Sequence, residues 1–167
     1  GTGLLNNRFG YNDLKNSWQY MSTYYSMVVD GVGSVKQYPF IDHPFVSFNI
    51  GQIGIKNLIL GMKQLSKLLF ASGAVKLYPS IEGAGCIRQL SDWDKIEKNV
   101  KIGNIGVVTI HLMGTCRMGA EYSNSVVNED GRLHGHERIY IADSSIIPTA
   151  LGVNPQGTIM ALCRRNA

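Results

Sequence analysis

The stretch Gly54-Ile55-Lys56-Asn57-Leu58-Ile59-Leu60-Gly61-Met62-Lys63-Gln64-Leu65-Ser66-Lys67-Leu68-Leu69-Phe70-Ala71-Ser72-Gly73 decides the class of fold. Ile55, Leu58, Ile59, Met62, Leu65, Leu68 and Leu69 recur every three or four residues, while Lys56, Lys63, Gln64 and Lys67 take the other face. This period predicts an amphipathic α-helix over 54–71 whose apolar stripe packs into a core. Gly73 follows as a left-handed stop. Just upstream, Val35, Tyr38, Phe40, Phe45, Val46, Phe48 and Ile50 are β-branched or aromatic, and Pro39 and Pro44 suit a strand edge or entry. A β-ladder within 35–50 followed by a long helix predicts an α+β fold, an antiparallel sheet with helices on one face.

Outward from this core, residues 1–34 read as loops with short strands. Ala74–Tyr78 reads as a short strand ending at Pro79. Ser91-Asp92-Trp93-Asp94 matches a capping pattern, so a second helix is expected from Ser91 to about Asn99, with two carboxylates at its positive end. Val107-Val108-Thr109-Ile110 is expected to be a short buried strand, and Ile139–Ala142 another, ending at Asp143.

The composition narrows the classes of function. The 167 residues are 44% hydrophobic and 17% charged, which suits a soluble globular chain with one sizeable core, and 19 glycines make it loop-rich. The net charge is +4, but the basic residues are scattered and their longest run is Arg164-Arg165, which argues against a nucleic-acid partner. No stretch approaches the ~18 apolar residues of a membrane span. Cys86, Cys116 and Cys163 form neither a CxxC nor an even framework, so they read as reduced, partly buried thiols of an intracellular, cytoplasmic protein. The chain opens Gly1-Thr2-Gly3 without an initiator Met or an apolar signal region, so its targeting is not legible.

Reactive side chains concentrate after residue 110. His111 stands at the end of the expected strand 107–110 and leads into Leu112-Met113-Gly114-Thr115-Cys116-Arg117-Met118-Gly119. An imidazole there can face a bound ligand with no helix in the way. Asp143-Ser144-Ser145-Ile146-Ile147-Pro148 places an acid at a strand's C-terminal end, where ligands sit in α/β architectures. In Gly152-Val153-Asn154-Pro155-Gln156-Gly157-Thr158, Asn is a strong N-cap and Pro a preferred first helical residue. The free N–H groups of that helix start stabilise negative charge. Each feature taken alone also has a structural reading: a packed histidine, a turn-capping aspartate, an ordinary capped helix.

Together, in this order, the three motifs resemble the C-terminal signature of the glucose–methanol–choline (GMC) flavin oxidoreductases. His111 and Asn154 stand about forty residues apart, a spacing that suits the active-site pair of that family. The resemblance is closest over 107–167 and weaker over 35–106, where the chain is similar to the family's substrate domain. The Gly152-Val153-Asn154-Pro155 version is similar to the cholesterol-oxidase and long-chain-alcohol-oxidase side of the family.

The resemblance implies FAD as cofactor and an alcohol, preferably hydrophobic, as substrate. It implies His111 as the base for the hydroxyl proton and Asn154 as the hydrogen-bonding partner of the substrate oxygen. Pro155, Gln156 and Gly157 would begin the helix aimed at the flavin's pyrimidine edge, and Asp143 and Ser144 would lie beside its ribityl and diphosphate part. Residues 1–110 are expected to form part of the substrate-binding domain, and 111–167 a strand–helix segment completing the FAD domain. Gly1-Thr2-Gly3-Leu4-Leu5-Asn6 is not the dinucleotide fingerprint, so the N-terminal FAD-binding half is expected to be a missing partner and this fragment alone inactive.

Two rival readings exist. The chain could be a stand-alone cap domain without flavin. His134 and His136, with His111 and Cys116, could be zinc ligands, but the two histidines fall in a turn after Gly131-Arg132, so no metal is expected. For Arg117 a structural ion pair is expected.

Overall fold

The computed structural model describes residues 15–166. It is a mixed helix and sheet protein: β1 (Val32–Lys36), β2 (Phe45–Asn49), α1 (Gln52–Ala71), α2 (Trp93–Asn99) and α3 (Gln156–Asn166), joined by turns and short 3-10 segments. The chain divides into two compact units. One is built from the residues up to Val28 and Gly51–Val108, the other from Val29–Ile50 and Thr109 to the C-terminus.

The ladder expected within 35–50 is an antiparallel hairpin whose first strand lies earlier, at Val32–Lys36, so that Tyr38 and Phe40 fall in the connection between the strands. Val32 pairs with Asn49, Ser34 with Ser47, and Lys36 with Phe45. Ser34 Oγ and Ser47 Oγ lie 2.8 Å apart across the pair, and Tyr38 meets Phe45 edge-on near the turn. Every residue of both strands is exposed. Among the described residues the sheet is this pair of strands.

In the first unit, α1 begins two residues before the expected start and ends at Ala71 as its periodicity required. Gly73 adopts φ +96°, and Ala74 N returns to Leu69 O at 2.9 Å, the left-handed stop expected of this glycine. Ile55, Leu58 and Ile59 are buried, whereas Leu68 at the far end is exposed, so the apolar stripe enters the core mainly through its first turns. Trp93 joins the two helices: its Nε1 donates to Ser66 Oγ at 3.1 Å, and Ser66 Oγ donates to Met62 O at 2.8 Å. Nearer solvent, Lys63 Nζ meets Glu97 Oε2 at 2.7 Å.

Four expected elements differ. The second helix starts at Trp93 after a 3-10 turn over Leu90–Asp92. Its entry is fixed by the carboxylate of Asp92, which accepts from Arg88 N at 2.9 Å and Gln89 N at 3.2 Å, rather than by Ser91. These donors, Arg88 first, hold the Asp92 pKa below its ordinary 3.8. Residues 107–110 form no strand, and Val107, Val108 and Ile110 are exposed, because no neighbouring strand among the described residues pairs with them. The expected strand 74–78 contracts to one bridge, Leu77 with Ile87, and 139–142 to the bridge of Tyr140 with Arg132. No helix among the described residues is long and apolar enough to cross a membrane. The three cysteines are free and half-buried, as expected of unpaired thiols.

Candidate functional site

All three motifs lie in the second unit, and a single small core holds them. Val127, Ile146 and Ile147 are its buried centre, with Met113, Met118, Ile141, Ile159 and Leu162 packed against it. Met113 and Met118 belong to the His111 motif, Ile146 and Ile147 to the Asp143 motif, and Ile159 and Leu162 to α3. Residues with no period in common thus become neighbours, and the polar members of each motif stay at the rim because the apolar ones are drawn inward.

Backbone pairing reinforces that core. The strap after His111 runs along the Asp143 segment, with Cys116 N donating to Ser145 O at 3.0 Å and Met118 N to Ile146 O at 2.8 Å. On its other side Val126 N donates to Arg117 O at 2.9 Å and Gly119 N to Val127 O at 3.0 Å. Gly114 stands at the crossing with φ +81°. A Cβ on it would lie 3.3 Å from Pro148 O and 3.6 Å from Ile147 O. The chain therefore needs glycine here both for its dihedral and for the closeness of the two backbones.

His111 is half-buried, and among the described residues its side chain has no hydrogen-bond partner. Asp143 caps the following 3-10 turn, Oδ1 accepting from Ser145 N at 2.7 Å. Among the described residues its Oδ2 makes no such bond, and Ser144 beside it is half-buried. Asn154 is exposed and Pro155 buried; α3 begins at Gln156, one residue later than expected, with Ile159 N donating to Pro155 O at 2.9 Å. Pro155 therefore serves as the first carbonyl of the helix, while Asn154 remains free of a capping bond among the described residues.

The fit to a flavin can be judged at that helix start. Gln156 and Gly157 are exposed, and nothing lies within 4 Å of where a Cβ on Gly157 would stand. Open N–H groups at the positive end of an 11-residue helix suit an electron-rich ring edge, and Arg164 and Arg165 complement its other end. Such a helix start has the chemistry that the ring end of FAD would need. No glycine-rich strand-to-helix turn suited to its diphosphate occurs among the described residues.

The remaining polar groups have local duties. His134 Nε2 lies 2.9 Å from Ser125 Oγ, and its ring meets Tyr122 edge-on at 5.5 Å. Ser125 Oγ also reaches Glu121 O at 2.6 Å, so this cluster closes the 119–126 turn. Among the described residues no three His, Cys, Asp or Glu side chains are placed to hold a metal ion. Arg117 is exposed and, among the described residues, forms no ion pair, contrary to the expectation for it. Met113, Met118, Ile159 and Leu162 pack the site together without carrying any of its polar groups. Their signal was present as apolar residues inside otherwise polar motifs.

Comparison with known proteins identifies the family. Residues 46–163 match the family model described as GMC oxidoreductase. An uncharacterised GMC-type oxidoreductase of Sinorhizobium fredii is 37% identical over 169 residues, which covers 100% of this chain and 34% of that protein. A long-chain-alcohol oxidase of Arabidopsis thaliana is 33% identical over 155 residues, covering 82% of this chain and 19% of that protein. A 6'''-hydroxyparomomycin C oxidase of Streptomyces lividus is 44% identical over 57 residues, 34% of this chain and 10% of that protein. This chain belongs to the GMC oxidoreductase family. It spans about a third of the length of the Sinorhizobium relative.

Proposed function

We propose that the chain supplies the substrate-binding and catalytic C-terminal portion of an FAD-dependent alcohol oxidoreductase. The observation that carries this reading is the shared core, which brings the strap after His111, the Asp143–Pro148 segment and the start of α3 onto one framework. The reading assigns His111 as the base: a ring nitrogen takes the hydroxyl proton of the alcohol as the carbonyl product forms. Asn154, exposed and free of local bonds among the described residues, donates a hydrogen bond to the substrate oxygen and orients it. Bound FAD would accept the hydride leaving the carbinol carbon. Pro155 sets the start of α3, and the N–H groups of Gln156 and Gly157 stabilise negative charge at the ring edge. Asp143 and Ser144 would flank the rest of the cofactor, with Asp143 able to offer its second carboxylate oxygen. Residues 111–167 thus carry the reacting groups, and residues 1–110 contribute to the substrate side.

A hydrophobic alcohol is the favoured substrate, since the match to a long-chain-alcohol oxidase runs over 82% of the chain while that to the paromomycin-type oxidase covers 34%. The test uses the full-length gene product. His111→Ala is expected to slow reduction of the bound flavin by a long-chain primary alcohol about 10²–10⁴-fold with flavin content unchanged. Unaltered turnover would remove the base from His111. Titration of the 167-residue chain with FAD, followed by flavin fluorescence, complements this. Tight saturable binding would overturn the view that this chain holds only the ring end of the cofactor site.

A further inference from the structure

We infer that Gly114 is the positioning residue for the His111 imidazole, acting through a backbone crossing that a side chain would force apart. The inference rests on the assignment of His111 as the base. Among the described residues no hydrogen bond holds the imidazole itself, so its place is inherited from the backbone that follows it. The first fixed points downstream are Met113, packed on the Val127–Ile146–Ile147 centre, and Gly114. At Gly114 the strap passes under Pro148, and an added Cβ would stand 3.3 Å from Pro148 O. That spacing is tighter than ordinary van der Waals contact, so the strap or the Ile147-Pro148 segment must yield by a few tenths of an ångström. The strap cannot yield downstream without breaking the Cys116–Ser145 and Met118–Ile146 pairs. The give therefore falls on the Ile147-Pro148 segment or on the Met113 anchor, and through Met113 on His111, three residues upstream of Gly114. Misplacement of a reacting group by about 1 Å costs up to about a hundredfold in rate.

Gly135 supplies the control. Its φ is +76°, close to that of Gly114, but nothing lies within 4 Å of its added Cβ. Alanine at either position meets the same left-handed penalty. Only at Gly114 does it also push a neighbouring backbone.

The experiment compares Gly114→Ala, Gly114→Asn, Gly135→Ala and His111→Ala in the full-length gene product, by flavin content, melting temperature, kcat, KM and the pH profile of kcat/KM. Asparagine accepts positive φ more readily than alanine, which relieves the dihedral but not the contact. A shift of a few tenths of an ångström, against the ~1 Å that costs about a hundredfold, predicts a kcat lowered about three- to tenfold in both Gly114 variants. KM should change less than about threefold if only the transition state is affected, and the acid limb of the pH profile should move. Gly135→Ala should lose a similar melting temperature yet keep kcat and the limb. Rescue by Gly114→Asn would overturn the inference, since the dihedral alone would then matter. Equal losses of kcat in Gly114→Ala and Gly135→Ala would overturn it too, as would an unmoved acid limb. Loss of flavin from both Gly114 variants but not from Gly135→Ala would mean a purely structural role. If His111→Ala is slow while the Gly114 variants are not, the positioning inference fails and the base assignment stands. If His111→Ala is unimpaired, the base assignment fails and takes this inference with it.

Discussion

At the scale of single residues, the least replaceable polar contact in the first unit joins Trp93 to Ser66. The indole is 1% exposed and the hydroxyl-bearing residue 4%, so neither can exchange its partner for water. Ser66→Ala leaves Trp93 Nε1 a buried donor without an acceptor, which costs about 1–3 kcal/mol. The helix regains a little, because Ser66 Oγ also bonds back to Met62 O, a habit that weakens helices slightly. Ser72 makes the same kind of backward bond, to Leu68 O at 2.9 Å, but is exposed and touches no indole. Ser72→Ala should therefore stay within about 0.5 kcal/mol of the parent. Urea unfolding followed by tryptophan fluorescence tests both variants, and equal effects would refute the role given to the Trp93 bond. The sequence could not disclose this pair. Ser66 lies on the polar side of no visible pattern, and its partner is 27 residues away. His111, Asp143 and Asn154 were legible as candidates because each sits in a motif of distinctive order. That Gly114 fixes the strap was not, since a glycine's φ and its close neighbours leave no trace in residue order.

At the scale of elements, legibility followed the length of the periodic signal. Helix α1 spans 20 residues, long enough for its three-and-four spacing to outweigh alternatives. The four-residue run Val107–Ile110 carried no comparable information: four apolar residues become a strand only where a second strand accepts their hydrogen bonds. The entry to α2 shows a subtler miss, since the acid was in sight but its bonding direction was not. Asp92 turns back to Arg88 N and Gln89 N rather than forward into the helix. Those donors favour the charged carboxylate and hold its pKa below 3.8 in the folded chain. The stabilisation is fully present above that ordinary value and is lost as the pH falls through the lowered one. Acid titration should thus loosen the Leu90–Asn99 segment below about pH 3.8. Asp92→Asn should remove this component of the pH dependence, leaving a flatter stability profile between the ordinary and the lowered value. Chemical shifts of the Arg88 and Gln89 amides provide the readout. Identical acid profiles for parent and variant would rule out the capping role.

At the scale of the whole molecule, secondary structure and burial part company. The hairpin is the only sheet among the described residues, yet neither strand buries a side chain. Val35, Phe45, Val46 and Phe48 are all exposed, and Phe40 in the connecting loop is fully so. An isolated pair of strands is marginal in water, because its few interstrand bonds must offset the ordering of both segments without help from apolar burial. The helix that follows it differs in kind: Ile55, Leu58 and Ile59 are each at most 9% exposed. Opening that helix exposes core, whereas opening the hairpin exposes almost nothing new. Hydrogen exchange of the 167-residue chain should therefore be graded by burial and not by element type. The interstrand amides of Val32–Lys36 and Phe45–Asn49 are expected to exchange at least about a hundredfold faster than those of Ile55, Leu58 and Ile59. The cross-strand Ser34–Ser47 contact is too exposed to alter that order. Equal protection in the two regions would mean that the strands are stabilised by more than their own pairing, and exchange that slows as protein concentration rises would trace the addition to self-association.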